Sequence, residues 1–108
     1  MGKYFNELTS AQSSAATALL KRNSLRVETI KTEQEILAQL IDERKRAGYY
    51  TGKQALFVPE IVYNNEIVDL ILEPFYEKGY ECTYSIENTT PQKTIQVNIF
   101  WYPTVEVI

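Results

Sequence analysis

The chain is expected to fold as an α+β protein, with two main helices packed on a small, mainly antiparallel sheet and an N-terminal helical or flexible arm. Three patterns predict this. Apolar residues recur at helical spacing in two separate stretches, strict alternation fills the last third, and a small-residue segment before Arg26 fits neither pattern.

That first segment, Thr9-Ser10-Ala11-Gln12-Ser13-Ser14-Ala15-Ala16-Thr17-Ala18, has one apolar anchor, Leu19-Leu20, and a basic pair, Lys21-Arg22. The segment can form a helix capped by Thr9 or Ser10, but it has too little apolar surface to dock firmly, and it reads either as a frayed terminal helix or as an arm that orders against a neighbouring subunit. The division predicted is therefore an arm over 1–26 and a single compact domain over 27–108 that ends in an apolar tail.

The next element reads as a helix opening at the capping box Thr32-Glu33-Gln34-Glu35. Ile36, Leu37, Leu40 and Ile41 form its apolar stripe, Ala47 continues it and Gly48 stops it. Arg44, Lys45 and Arg46 fall in the last turn, where the macrodipole favours cations. From Tyr49 to Tyr63 the chain reads as extended. Ala55-Leu56-Phe57-Val58 is the best strand in it, and Pro59 assigns that strand to an edge or to an irregular crossing.

Asn64-Asn65-Glu66 looks like a cap, followed by a buried helix through Ile67, Val68, Leu70, Ile71, Leu72, Phe75 and Tyr76. Pro74 removes the amide that would bond the Leu70 carbonyl, so a kink or restart is expected there. Gly79 is the expected left-handed terminator. Beyond it Tyr80, Cys82, Tyr84 and Ile86 alternate with polar residues, as do Ile95, Val97, Ile99 and Trp101, giving two strands with one dry face each. Asn88 to Lys93 is long enough for a wide hairpin. Val105, Val107 and Ile108 form the apolar tail, able to pair with a sheet edge of this chain or another.

Length and composition set limits on function. At 108 residues there is room for one core, and 44% hydrophobic with 23% charged residues is ordinary globular usage. A net charge of -3 gives no global positive field for nucleic acid or an anionic membrane. One cysteine and no histidine remove an intrachain disulfide and the usual nitrogen and sulfur zinc ligands. Without a signal-peptide h-region or a membrane-length apolar stretch, the expected location is the cytosol of the producing cell.

The search for chemistry points away from an enzyme. The commonest catalytic base is missing, and Cys82 falls on the apolar face of its strand, where burial keeps a thiol inert. The carboxylates Glu33, Glu35, Asp42, Glu43, Glu66, Asp69, Glu73 and Glu77 read as solvated helix faces. Gly48 and Gly52 have neither the Walker nor the dinucleotide spacing. No catalytic residue, cofactor site or metal site is expected. The surplus is aromatic, with 8 Tyr, 4 Phe and 1 Trp, and Tyr suits contact surfaces because it joins an apolar body to a polar tip. Tyr49, Tyr50, Tyr63 and Tyr102 sit at element ends or in loops and are interface candidates, together with Leu19, Leu20, Val105, Val107 and Ile108. Arg44, Lys45 and Arg46 are the candidate polyanion contact.

From Ile41 onward the order of elements resembles small virion-associated structural proteins of tailed bacteriophages. The shared pattern is a helix ending in Ala47-Gly48-Tyr49, an extended crossing, a helix ending in Glu77-Lys78-Gly79-Tyr80, a strand, and a last strand closing on aromatics as in Val97-Asn98-Ile99-Phe100-Trp101. Pro74 and the tail beyond Trp101 depart from it. The resemblance implies a capsid, neck or tail component held by subunit contacts, found in the virion and assembled in the host cytoplasm. The expected partners are other virion subunits, or further copies of the chain in a homo-oligomer; nucleic acid and membrane are not expected. Two alternatives remain open: a small inhibitor of a host enzyme, and a nucleic-acid-binding accessory protein using Lys21-Arg22 and Arg44-Lys45-Arg46 with Tyr49 and Tyr50.

Overall fold

The computed structural model describes residues 2–8, 10–88 and 91–103. It is α+β, in the order α1 (Lys3–Asn6), α2 (Ala11–Arg46), β1 (Thr51–Pro59), a 3-10 turn (Glu60–Val62), α3 (Ile67–Glu77), β2 (Glu81–Asn88) and β3 (Gln92–Phe100). The three strands form one antiparallel sheet ordered β1-β3-β2. Both α2 and α3 lie on one face of it, so the protein is a two-layer sandwich in which no described helix or strand covers the other face.

The helix expected to start at Thr32 starts twenty-one residues earlier, at Ala11, and runs unbroken to Arg46. The side chain of Ser10, one of the two caps foreseen, accepts from the Ser13 amide at 3.2 Å; Thr9 lies outside the described residues. The physical reason for the length is the absence of any breaker, since neither Gly nor Pro occurs between Gly2 and Gly48. Thr32-Glu33-Gln34-Glu35 is therefore mid-helix, and its first amides already have intrahelical partners. One consequence overturns a second expectation. Glu33 is not on a solvated face but on the row Thr29, Glu33, Leu37 and Ile41 that is buried against the sheet. Ala47, expected to extend the apolar stripe, is the exposed C-terminal cap instead. Gly48 then turns the chain with φ of +92°.

In α3 Pro74 neither breaks nor restarts the helix, which continues from Ile67 to Glu77. The carbonyl it orphans, that of Leu70, accepts instead from Gln34 Nε2 of α2 at 3.3 Å, and the same amide lies 3.3 Å from the Ile71 carbonyl. Asn64 Oδ1 accepts from the amides of Glu66 and Ile67 at 3.0 and 2.9 Å and caps the helix start.

The core lies between the layers. Leu37 and Ile41 of α2, Ile67, Val68, Ile71, Leu72 and Phe75 of α3, Leu56 and Val58 of β1 and Ile95, Val97 and Ile99 of β3 are all buried there. Gly52 brings β1 close under α2: a methyl in place of its hydrogen would stand 3.1 Å from Leu40 Cδ2 and 3.3 Å from Arg44 Cγ. β1 is an edge strand with Pro59 at its end, as the proline required. The second edge, β2, departs from the pattern read in the sequence. Its alternating residues do face the helix layer, paired with Ile99, Val97 and Ile95 through Cys82, Tyr84 and Ile86. Yet Cys82 is half-buried, and Tyr84 and Ile86 are each 39% exposed. With α2 lying along β1 and α3 beside it, the cover runs out over the third strand.

Candidate interaction surfaces

Three surfaces follow from this arrangement, the first being the N-terminal half of α2. A 36-residue helix is about 54 Å long, and its residues from Ala11 to Ser24 are exposed throughout, so roughly 20 Å of it projects past the sheet. The Cα radius of gyration is 19.2 Å, where about 13 Å is usual for a compact chain of this length, and the long dimension reaches 79 Å. Leu19 and Leu20 stand on this arm, 57% and 71% exposed. Val27 is also bare, and the sequence reading did not select it. At 100° per residue Leu20 and Val27 share one stripe with Ala16, and that stripe points away from the row that meets the sheet.

The second surface is aromatic and lies at the far pole, where β1 begins and β3 ends. Tyr49, Tyr50 and Tyr102 gather there and are exposed. Trp101 holds them in place, its backbone amide donating to the Tyr50 carbonyl and its indole Nε1 to the Tyr49 carbonyl, both at 2.9 Å. Tyr102 stacks on Phe100 with ring centroids 5.8 Å apart, and an edge-to-face chain links Phe75, Tyr80 and Trp101. Tyr63 does not join this group. It packs partly against the core near the opposite end, with the Lys93 ammonium 5.9 Å from its ring. The tail residues Val105, Val107 and Ile108 lie outside the described residues.

The basic triplet does not converge on one point. Arg44 stacks its guanidinium 3.8 Å over Tyr49 and donates from Nε to the Thr51 carbonyl at 3.0 Å. Arg46 reaches Asp42 at 3.0 Å and Lys45 at 3.9 Å. As exposed i,i+3 and i,i+4 pairs these contribute little to stability, but they draw two of the three cations back along the helix.

The third surface is the β2 side of the sheet. The edges differ in how they are finished. Along β1 three outward residues have a backbone group occupied, Thr51 by Arg44, Ala55 by the Gln54 side chain (3.1 Å) and Phe57 by the Glu33 carboxylate. Along β2 the Tyr76 hydroxyl reaches the Cys82 carbonyl at 3.4 Å, which identifies Cys82, Tyr84 and Ile86 as the residues whose backbone groups point off the sheet. No described strand pairs with them. Tyr76, Tyr84 and Ile86 form a half-bare apolar strip beside that edge. Burial first, then the neighbouring Asp69 carboxylate, holds the Tyr84 phenol above its ordinary value, and burial likewise raises that of Tyr76. Burial pushes the Cys82 thiol up to about 11, which leaves it protonated at neutral pH.

Charge is divided along the chain in a way the overall value of -3 hides. Between Glu7 and Glu28 every charged residue is a cation: Lys21, Arg22 and Arg26. From Glu60 to Glu87 the reverse holds, with Lys78 alone among Glu60, Glu66, Asp69, Glu73, Glu77, Glu81 and Glu87. This signal was present in the sequence and needs only a windowed count to find. The fold puts the two charge blocks on different bodies, the arm and the α3–β2 side.

A groove of about 620 Å³ runs between α2 and α3, with Ala38, Ile41, Phe75 and Tyr80 among its lining and the charges Lys31, Lys45, Lys78, Glu35 and Asp42 around them. Among the described residues no three His, Cys, Asp or Glu side chains are placed to hold a metal ion, and no helix is long and apolar enough to cross a membrane. No known protein family, curated protein or solved structure matches the chain.

Proposed function

We propose that this protein is a non-enzymatic structural subunit, a small component of a tailed-phage particle that works by contacting neighbouring subunits. The observation that supports this most is the arm. A helix that leaves its own domain for roughly 20 Å and carries Leu19, Leu20 and Val27 bare has no use for that surface within its own fold. Isolated helices of this length are marginal in water, so an arm of this kind is stabilised by what it docks against. The exposed tyrosines at one pole and the open β2 edge add two further contact surfaces to a domain with few reactive side chains.

Mass spectrometry of purified particles from the producing system tests the proposal, combined with cross-linking from the arm. The chain should be recovered in fixed proportion to the major particle proteins, with cross-links running from Lys21 to another subunit. Particles that lack the chain, alongside a soluble complex with one host enzyme, would replace this role with that of an inhibitor.

A further inference from the structure

We infer that the arm of one chain docks on the α3–β2 side of a second copy, so that copies associate head to tail; this rests on the subunit role above and names the partner. The donor surface is the arm. Its apolar stripe of Ala16, Leu20 and Val27 lies on the side of α2 opposite Thr29, which is buried against the sheet. Because α2 is one unbroken helix, that stripe cannot turn back onto its own domain.

The acceptor surface is the strip that the helix layer fails to cover. Two helices lie over a three-stranded sheet, and Tyr76, Tyr84 and Ile86 stay 45%, 39% and 39% exposed over the third strand. A third helix laid there would complete the layer. The lengths agree, since the eight residues of β2 span about 26 Å and the free arm roughly 20 Å.

Charge selects this pairing over the alternatives. Lys21 and Arg26 stand about 100° to either side of the arm's apolar stripe, Arg22 lies on the far side of the same helix, and Asp69, Glu73 and Glu77 run at four-residue spacing along the flank of α3. Like charges at that spacing weaken an isolated helix, so cations from outside relieve a repulsion the domain carries alone. The other apolar groove, between α2 and α3, mixes Lys31, Lys45 and Lys78 with Glu35 and Asp42, so it offers the arm no flank of opposite sign. The contact is heterologous, because arm and acceptor are different patches. Repetition therefore gives a ring where the rotation closes and a filament where it does not.

Sedimentation velocity on the full chain across a concentration series, at low and high salt, tests the inference. Self-association that weakens as salt rises is expected. Reversing the arm with K21E, R22E and R26E, or the acceptor with E73K and E77K, should weaken association by more than about tenfold, because each places like charges face to face. Mixing the two variants should restore it. All five positions are charged and none is in the core, so unchanged circular dichroism is the accompanying control; Tyr84→Ser with Ile86→Ser, which removes only the apolar strip, is an independent second variant and should also weaken association. A chain that stays monomeric at every concentration in low salt overturns the inference, as do reversed variants that associate like the parent. If the chain is monomeric yet its arm cross-links to a different protein in particles, the self-docking is wrong and the subunit role stands. If it self-associates as described but is missing from particles, the subunit role is wrong and the docking stands.

Discussion

Glu33 sits on the row of α2 that faces the sheet, with Oε2 buried and unpartnered and the carboxylate accepting from the Phe57 backbone. Burial outweighs that hydrogen bond and raises its pKa above the ordinary 4.5. The folded chain therefore keeps the proton over a pH range in which the unfolded chain has already released it. Stability from this group is complete below the ordinary value and declines as pH climbs from there through the folded value. Glu33→Gln removes the charge and should raise the thermal midpoint at neutral pH while flattening its pH dependence in mild acid; a lower midpoint at neutral pH would contradict the assignment. A second residue-scale effect links Gln34 to Pro74. Gln34→Ala leaves the Leu70 carbonyl without its donor and should cost about 1 kcal/mol in urea unfolding. In a Pro74→Ala background the helix supplies its own amide to that carbonyl, so the same change should cost less. Equal costs in both backgrounds would mean that the Gln34 contact does not compensate for the proline. Neither relation is legible in the sequence, because the packing of α2 on β1 brings Glu33 to Phe57 and the packing of α2 on α3 brings Gln34 to the Leu70 carbonyl.

At the scale of elements, most of the domain could be read from periodicity. The stripes at Leu37–Ile41 and Ile67–Phe75, the edge strand ending in Pro59 and the alternation of β3 all appear where their patterns put them. The two departures have separate causes. The start of α2 lies well upstream of the capping-box motif because no Gly or Pro interrupts the chain there, and Leu25, Thr29 and Ile30 continue the periodicity toward the arm and pack on or near the core. The cover over β2 could not be read at all. Alternation shows which residues share a face of a strand, and how far the helix layer extends across that face depends on where the helices settle. Gly52 determines that placement for α2. Gly52→Val pushes a branched side chain against Leu40 and Arg44 and should destabilise the fold by about 1–3 kcal/mol, measured by chemical unfolding. A neutral effect would show that α2 can slide away from β1 without loss. Ser10→Ala, in contrast, should lower helical circular dichroism by fraying the arm while leaving the main unfolding transition in place, since its hydrogen bond to Ser13 stabilises residues outside the core.

For the whole molecule, the proposed interaction role rests on what the fold leaves uncovered. A 108-residue chain that places about an eighth of its length in a projecting helix has given up burial that a small domain needs, and the docking proposed above would restore it. The sequence did indicate an arm, through its small residues and single apolar anchor. The opposite charge of the arm and α3 is also in the sequence, although the overall value of -3 conceals it. The sequence could not locate the bare strip on β2, which exists only once two helices and three strands are assembled. Hydrogen exchange over Ala11–Ser24, read in the dilute chain and again in the assembled particle, tests this most directly. The account predicts fast exchange when dilute, strong protection after assembly, and unchanged protection in β3 throughout. Arm amides as slow as those of β3 in the dilute chain, or equally fast in both states, would contradict it.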